Sequence, residues 1–109
     1  MEMHNKIRST VAQGLETRGA PGPQPPAFDM LEMTWDDELE QVAQRWADQC
    51  NYGHDEARQV ERFSVGQNIN YGSRVWKEQN ETRNSIETGI NNWYNEVAFY
   101  DKTQVKKYM

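Results

Sequence analysis

Apolar residues recur along this chain with two periods, and the changes of period divide it into elements. Over residues 3–15, Met3, Ile7, Val11 and Leu15 stand four apart with Lys6, Arg8 and Gln13 between them. That spacing predicts an amphipathic helix, with Gly14 and Gly19 marking its end. The clearest stripe covers 36–50, where Leu39, Val42, Ala43, Trp46, Ala47 and Cys50 fall on one helical face. Thr34 is its expected N-cap, Asp36, Asp37 and Glu38 sit where the helix dipole favours anions, and Gly53 is placed to close it. A third stripe, Ile86, Ile90, Trp93, Val97 and Tyr100, predicts a helix over 84–100 with Asn92 and Glu96 at its edge. Residues 63–71 instead alternate, Phe63, Val65, Gln67, Ile69 and Tyr71 against Ser64, Gly66, Asn68 and Asn70, which is the period of a strand. Gln67 is the polar exception on that apolar face and needs hydrogen bonds if it is buried.

The connections are polar or proline-rich. Residues 19–26 read G-A-P-G-P-Q-P-P, which predicts an extended loop of polyproline character. Residues 73–83 are expected to be irregular, and Asn80-Glu81-Thr82 makes Asn80 a glycosylation candidate in a secreted chain. The tail over 101–109 carries no stop signal of its own.

Composition narrows the function classes. The 109 residues suffice for one domain and not two, and only seventeen of them are Leu, Ile, Val or Phe. With hydrophobic content of 36% and mean hydropathy of -1.05, the core is expected to be meagre. The net charge of -5 and a single basic pair, Lys106-Lys107, exclude a nucleic-acid or anionic-membrane binder, whose affinity needs clustered cations. No apolar run approaches the ~20 residues of a membrane span, and residues 1–20 lack the apolar centre of a signal peptide. Cys50, the only cysteine, is expected to be buried; it reads as an intracellular thiol or as half of a bridge whose mate lies elsewhere.

Candidate chemistry is sparse. Two histidines, His4 and His54, and carboxylates gathered at helix starts match none of the usual hydrolase, zinc or phosphate-loop motifs. His54, Gln67 and Glu96 are the residues that could compose a site if the fold joined them, as imidazole, amide and carboxylate together orient a water or a metal. The plainer role for His54 is at the end of the preceding helix, paired with Asp55.

Several strings carry more than periodicity: H-N-K-I-R at 4–8, G-L-E-T-R-G-A-P-G-P-Q-P-P-A at 14–27, W-D-D-E-L-E-Q-V-A-Q-R-W-A-D-Q-C-N-Y-G-H-D at 35–55, V-G-Q-N-I at 65–69 and W-Y-N-E-V at 93–97. In order and spacing the chain resembles insect venom allergens, the antigen five-like proteins of the CAP superfamily (cysteine-rich secretory, antigen five and pathogenesis-related; the SCP domain). The resemblance implies an α+β fold, an α-β-α sandwich, of which residues 1–109 would be the N-terminal portion, about three helices and one or two strands. It implies an extracellular, secreted protein with a central cavity, to which His54, Gln67 and Glu96 correspond as lining residues.

The departures shape the remaining expectations. The family's second cavity histidine and central strands have no counterpart before residue 109, so the chain is expected to be a domain truncated before the second-histidine strand. A divalent metal would then be possible only in a complete domain with that histidine, and no metal or other cofactor is expected here. Ala57 stands where venom relatives have a second cysteine, which leaves Cys50 as a disulfide candidate with its partner outside this chain. The function implied is non-enzymatic, without catalytic residues: binding of a lipid, a small molecule or a host receptor in the extracellular space, with no nucleic acid and no transmembrane segment involved. The alternatives are an incomplete or degenerate paralogue without cavity function and a cavity hydrolase using Glu96 and His54 as acid and base. Without its central strands the chain is expected to be helical and poorly packed.

Overall fold

A computed structural model of the chain describes residues 1–72 and 79–108, and of 79–84 and 107–108 the backbone only. Among the described residues, the α-helices α1 (Glu2–Ala12), α2 (Asp37–Ala47) and α3 (Gln79–Asn95) are followed by 3-10 helices at Glu96–Phe99 and Lys102–Tyr108. They belong to two compact units, one formed by Met1–Met33 and Trp76–Met109, the other by Thr34–Val75. Of the stretch expected to be irregular, 79–83 is helical and 73–78 lies outside the described residues.

In the first unit α1 packs on α3, and the apolar positions that meet this requirement, Met3, Ile7, Val11, Ile90, Trp93 and Val97, are half-buried. The end of α1 is set by Gly14, whose φ of +75° lies in the left-handed region that a side chain disfavours. The chain then folds back: the Ala27 amide donates to the Ala12 carbonyl and the Gln24 amide to the Glu16 carbonyl, each at 3.0 Å. The proline segment is therefore a folded turn rather than the expected extended loop, with cis bonds at Ala20-Pro21 and Gly22-Pro23. Prolines supply no donor, so main-chain bonding falls to their neighbours. The Ala20 amide reaches the Tyr100 carbonyl at 2.9 Å, and the Lys102 amide reaches the Pro21 carbonyl at 3.1 Å.

These bonds also explain why the last helix is not one α-helix over 84–100. It tightens into the 3-10 turn at Glu96, and Tyr100 leaves it extended, at φ -87° and ψ 128°. There its carbonyl accepts from Ala20 and also from the Gln24 side chain at 3.3 Å. Further along the first unit, Asn5 brackets Met33, donating to its carbonyl at 3.0 Å and accepting from its amide at 2.7 Å, and Arg8 donates to the Leu31 carbonyl at 2.9 Å.

In the second unit α2 is capped by Asp36 and not by Thr34: an Asp36 carboxylate oxygen accepts from the Leu39 amide at 2.9 Å, and Arg62 donates to both of its oxygens at 2.9 Å. A carboxylate at the cap gains both the orphan amide and the guanidinium, and a threonine hydroxyl two residues earlier reaches neither. The far end is turned by Cys50, at φ +52°, and not by Gly53. Because α2 ends at Ala47, Cys50 falls off the apolar stripe and is exposed, not buried. Trp46 of that stripe is half-buried, and its indole N–H donates to the Gly53 carbonyl at 2.9 Å, drawing the following loop back.

The strand expected over 63–71 does not form. Among the described residues there is one isolated antiparallel bridge, Val60 to Phe63, and no strand. A strand needs a neighbour for alternate amides and carbonyls, and here side chains take that role. The Gln59 side-chain oxygen accepts from the Val65 amide at 2.7 Å, and Arg58 donates to the Val65 carbonyl at 2.9 Å. Of the α+β sandwich the described residues display the helical part.

Among the described residues no apolar side chain is fully buried, and the buried polar ones are Glu16, Gln24 and Asp55. Phe28, Leu31 and Trp35 are well exposed. Polar clasps, more than an apolar interior, organise both units, as the poor apolar content implies. No described helix is long and apolar enough to cross a membrane.

Candidate functional site

The second unit joins two of the three residues singled out in the sequence. His54 follows the turn drawn back by Trp46, and Gln67 reaches it from the loop stitched by Arg58 and Gln59. The Gln67 side-chain oxygen lies 3.0 Å from His54 Nδ1 and 2.9 Å from the Asp55 amide nitrogen. His54 is exposed and Gln67 half-buried, so Gln67 meets its need for hydrogen bonds in an irregular loop rather than a strand. Asp55 is buried, but it does not pair with His54. Its carboxylate accepts from the Ala57 amide at 2.9 Å, and its carbonyl accepts from Arg58 at 3.0 Å. His54 thus belongs to a loop clasp and is not the helix-terminal residue of the plainer reading.

Glu96 belongs to the first unit. It is exposed at the start of the 3-10 turn and lines an open groove of about 420 Å³. Ile7, Val11, Met30, Trp93 and Val97 supply the apolar wall of this groove, with Arg8 and Glu96 contributing opposite charges. Its volume lies within the ~300–1,000 Å³ common for small-molecule sites.

Next to the groove residues stands a polar clasp that periodicity did not reveal. Glu16 is 5% exposed; its carboxylate takes hydrogen bonds from Arg18 Nε at 2.9 Å and from a terminal Arg18 nitrogen at 3.1 Å. The Tyr94 hydroxyl donates to the second carboxylate oxygen. Arg18 also donates to the Asn95 side chain at 2.9 Å and stands 5.0 Å from the centre of the Tyr94 ring. The Arg18 hydrogen bonds, joined by that of Tyr94 and opposed by burial, hold the Glu16 carboxyl down at about 2. Burial, and then the Glu16 carboxylate, push the Tyr94 hydroxyl above its ordinary value. The available sequence signal was an acid and a base two residues apart between Gly14 and Gly19, a spacing that does not pair on a helix.

Tyr94 carries both groups to one point: it is a ligand of the buried carboxylate and a wall of the groove. Gln24 does likewise from the folded proline turn, donating to the Arg18 carbonyl at 3.1 Å while lining the groove. Two residues of the groove wall are therefore held in place by hydrogen bonds.

Cys50 is an exposed free thiol, and Asn80 lies in the first turn of α3, its side chain outside the described residues. Among the described residues no group of three or more His, Cys, Asp or Glu is placed to hold a metal ion.

Comparison with known proteins places these features in context. Residues 1–108 match the model of the CAP, cysteine-rich secretory protein family. The chain is 47% identical over 106 residues to venom allergen 3 homolog of Dinoponera quadriceps, covering 97% of this chain and 44% of the relative. To venom allergen 5.02 of Vespa crabro it is 60% identical over 73 residues, 67% of this chain and 36% of the relative. Venom allergen 3 of Solenopsis invicta is 47% identical over 105 residues, 96% of this chain and 43% of the relative. The chain thus spans less than half the length of these relatives.

Proposed function

This chain belongs to the CAP, cysteine-rich secretory protein family, and from that premise we propose that it acts in the extracellular space as a non-catalytic binding protein of the venom-allergen type. The observation that carries the binding role is the groove of the first unit. Its wall is apolar over Ile7, Val11, Met30, Trp93 and Val97, and its two charges come from separate segments, Arg8 on α1 and Glu96 at the 3-10 turn. Such a surface gains about 25 cal/mol for each Å² of apolar ligand area it removes from water, while a charge at its edge selects a polar head. A long-chain fatty acid, with an apolar tail and a carboxylate able to meet Arg8, fits this chemistry. Family membership supports secretion, and the similarity to venom allergens supports a role in a secreted fluid.

Titration of the purified chain with oleate, kept below its micelle concentration and followed by tryptophan fluorescence, tests this. Saturable quenching is expected, lost on Trp93→Phe and weakened at least tenfold by Met30→Glu, since Met30 is an exposed wall residue. Quenching that is linear in oleate, or unchanged in Met30→Glu, would refute the groove as the binding site.

A further inference from the structure

The loop clasp of the second unit determines which imidazole nitrogen of His54 is free. The Asp55 main-chain nitrogen can only donate, so the Gln67 atom 2.9 Å from it is the amide oxygen and not the amide nitrogen. That same oxygen lies 3.0 Å from His54 Nδ1. An amide oxygen carries no hydrogen, so the proton shared between the two groups resides on Nδ1. A neutral imidazole has one N–H, and the lone pair then belongs to Nε2.

We propose that Gln67 is a positioning residue that locks neutral His54 in its Nδ1–H tautomer, making the exposed imidazole an Nε2 hydrogen-bond acceptor for a hydroxyl or N–H group of a ligand. Free histidine favours the opposite tautomer, so the lock is a property of the fold and not of the residue. It acts through two bonds to one atom. The Asp55 amide fixes the rotation of the Gln67 side chain, and the fixed amide then dictates the proton position on His54. Arg58 supports the arrangement from both sides, donating to the Asp55 carbonyl at 3.0 Å and to the Val65 carbonyl at 2.9 Å, two residues before Gln67. The choice of amide has a consequence of its own. A glutamate could accept the same two bonds, but its charge would favour the imidazolium, whose two N–H groups leave no acceptor. A neutral amide orders the ring without that charge. This assignment is independent of the groove in the first unit.

Nitrogen-15 NMR of the histidine-labelled chain, at a pH where the imidazoles are neutral, tests the proposal directly. The two histidines, His4 and His54, are told apart with a His54→Gln variant. The expected spectrum for His54 has a protonated Nδ1 and an unprotonated Nε2. Gln67→Met, which keeps the side-chain length and removes the acceptor, should shift the population to the Nε2–H form, and Gln67→Glu, read at a pH high enough to keep its own imidazole neutral, should restore the Nδ1–H form. A wild-type His54 protonated at Nε2 would overturn the assignment without recourse to any variant. Survival of the Nδ1–H form in Gln67→Met would overturn the role of Gln67.

Discussion

The two units solve the same shortage of apolar residues with different chemistry. In the first, a buried carboxylate, Glu16, gathers Arg18 and Tyr94 about itself, and helix packing of α1 on α3 supports the cluster. In the second, α2 and its loops are held by Arg58, Gln59 and Gln67, whose bonds end on main-chain groups and, for Gln67, also on the His54 ring. A buried ion has no good alternative partner if one contact is lost, whereas bonds to main-chain groups in a part-buried loop are exchanged for water at smaller net cost. The first unit should therefore fail steeply and the second by increments.

The largest effect should come from Glu16→Ala. It removes the acceptor of both Arg18 and the Tyr94 hydroxyl, and a loss of about 2–3 kcal/mol is expected, tempered by the part-exposure of Arg18. Hydrogen exchange should rise along α1 and α3 while α2 keeps its protection; uniform loss in both units would erase the contrast.

Acid sharpens the same distinction. The folded Glu16 carboxyl is held down at about 2, below its ordinary 4.5, so its contribution is present above the ordinary value and is lost as pH falls through about 2. Asp36 is also lowered, first by the Leu39 amide and then by Arg62, so its cap likewise weakens as acid protonates it. Between pH 4.5 and pH 3 the Glu16 clasp should persist, which hydrogen exchange of α1 and α3 as a function of pH will reveal by retained protection. A first unit that opens already near pH 4.5 would show that the carboxylate is not so held.

Smaller still, Asp36→Ala should cost about 1 kcal/mol, the usual worth of an N-cap, confined to α2 and read from its exchange rates. Arg62 then keeps its longer contact to Glu38, 3.8 Å away, and its place over the Phe63 ring, 4.8 Å from the ring centre. The smallest expected change is Cys50→Asn. Asparagine tolerates the left-handed conformation that Cys50 adopts, so stability should hold or rise by about 0.5 kcal/mol in thermal melts. A clear loss would mean that the thiol makes a contribution its exposure does not suggest.

What was legible before the structure was whatever depends on local repetition. The stripes through Ile7 and Val11, through Leu39 and Trp46, and through Ile90 and Trp93 each lie on a helix. Gln67 stood out because an amide interrupted an apolar alternation, and it does find two hydrogen-bond partners. The strand over 63–71 was the opposite case: its alternation was real, but a strand exists only with a neighbour, and no periodicity supplies one. Cys50 counted as a stripe residue only while the helix was taken to run to 50; with α2 ending at Ala47 its side chain leaves the stripe. Thr34 lost the cap to Asp36 because Arg62, twenty-six residues away, favours a carboxylate there.

By itself, then, the order of residues determined the helices, the acidic balance and the family to which the chain belongs, because these follow from side chains a few positions apart or from strings preserved in order. Only the tertiary structure decided that Glu16 would meet Tyr94, that the proline turn would be tied to Tyr100, and that His54 would be bound by Gln67. These pairings join residues 78, 76 to 80 and 13 positions apart. Closing such loops costs chain entropy that no local pattern repays, and it is offset only when several polar groups are satisfied at once in the folded chain.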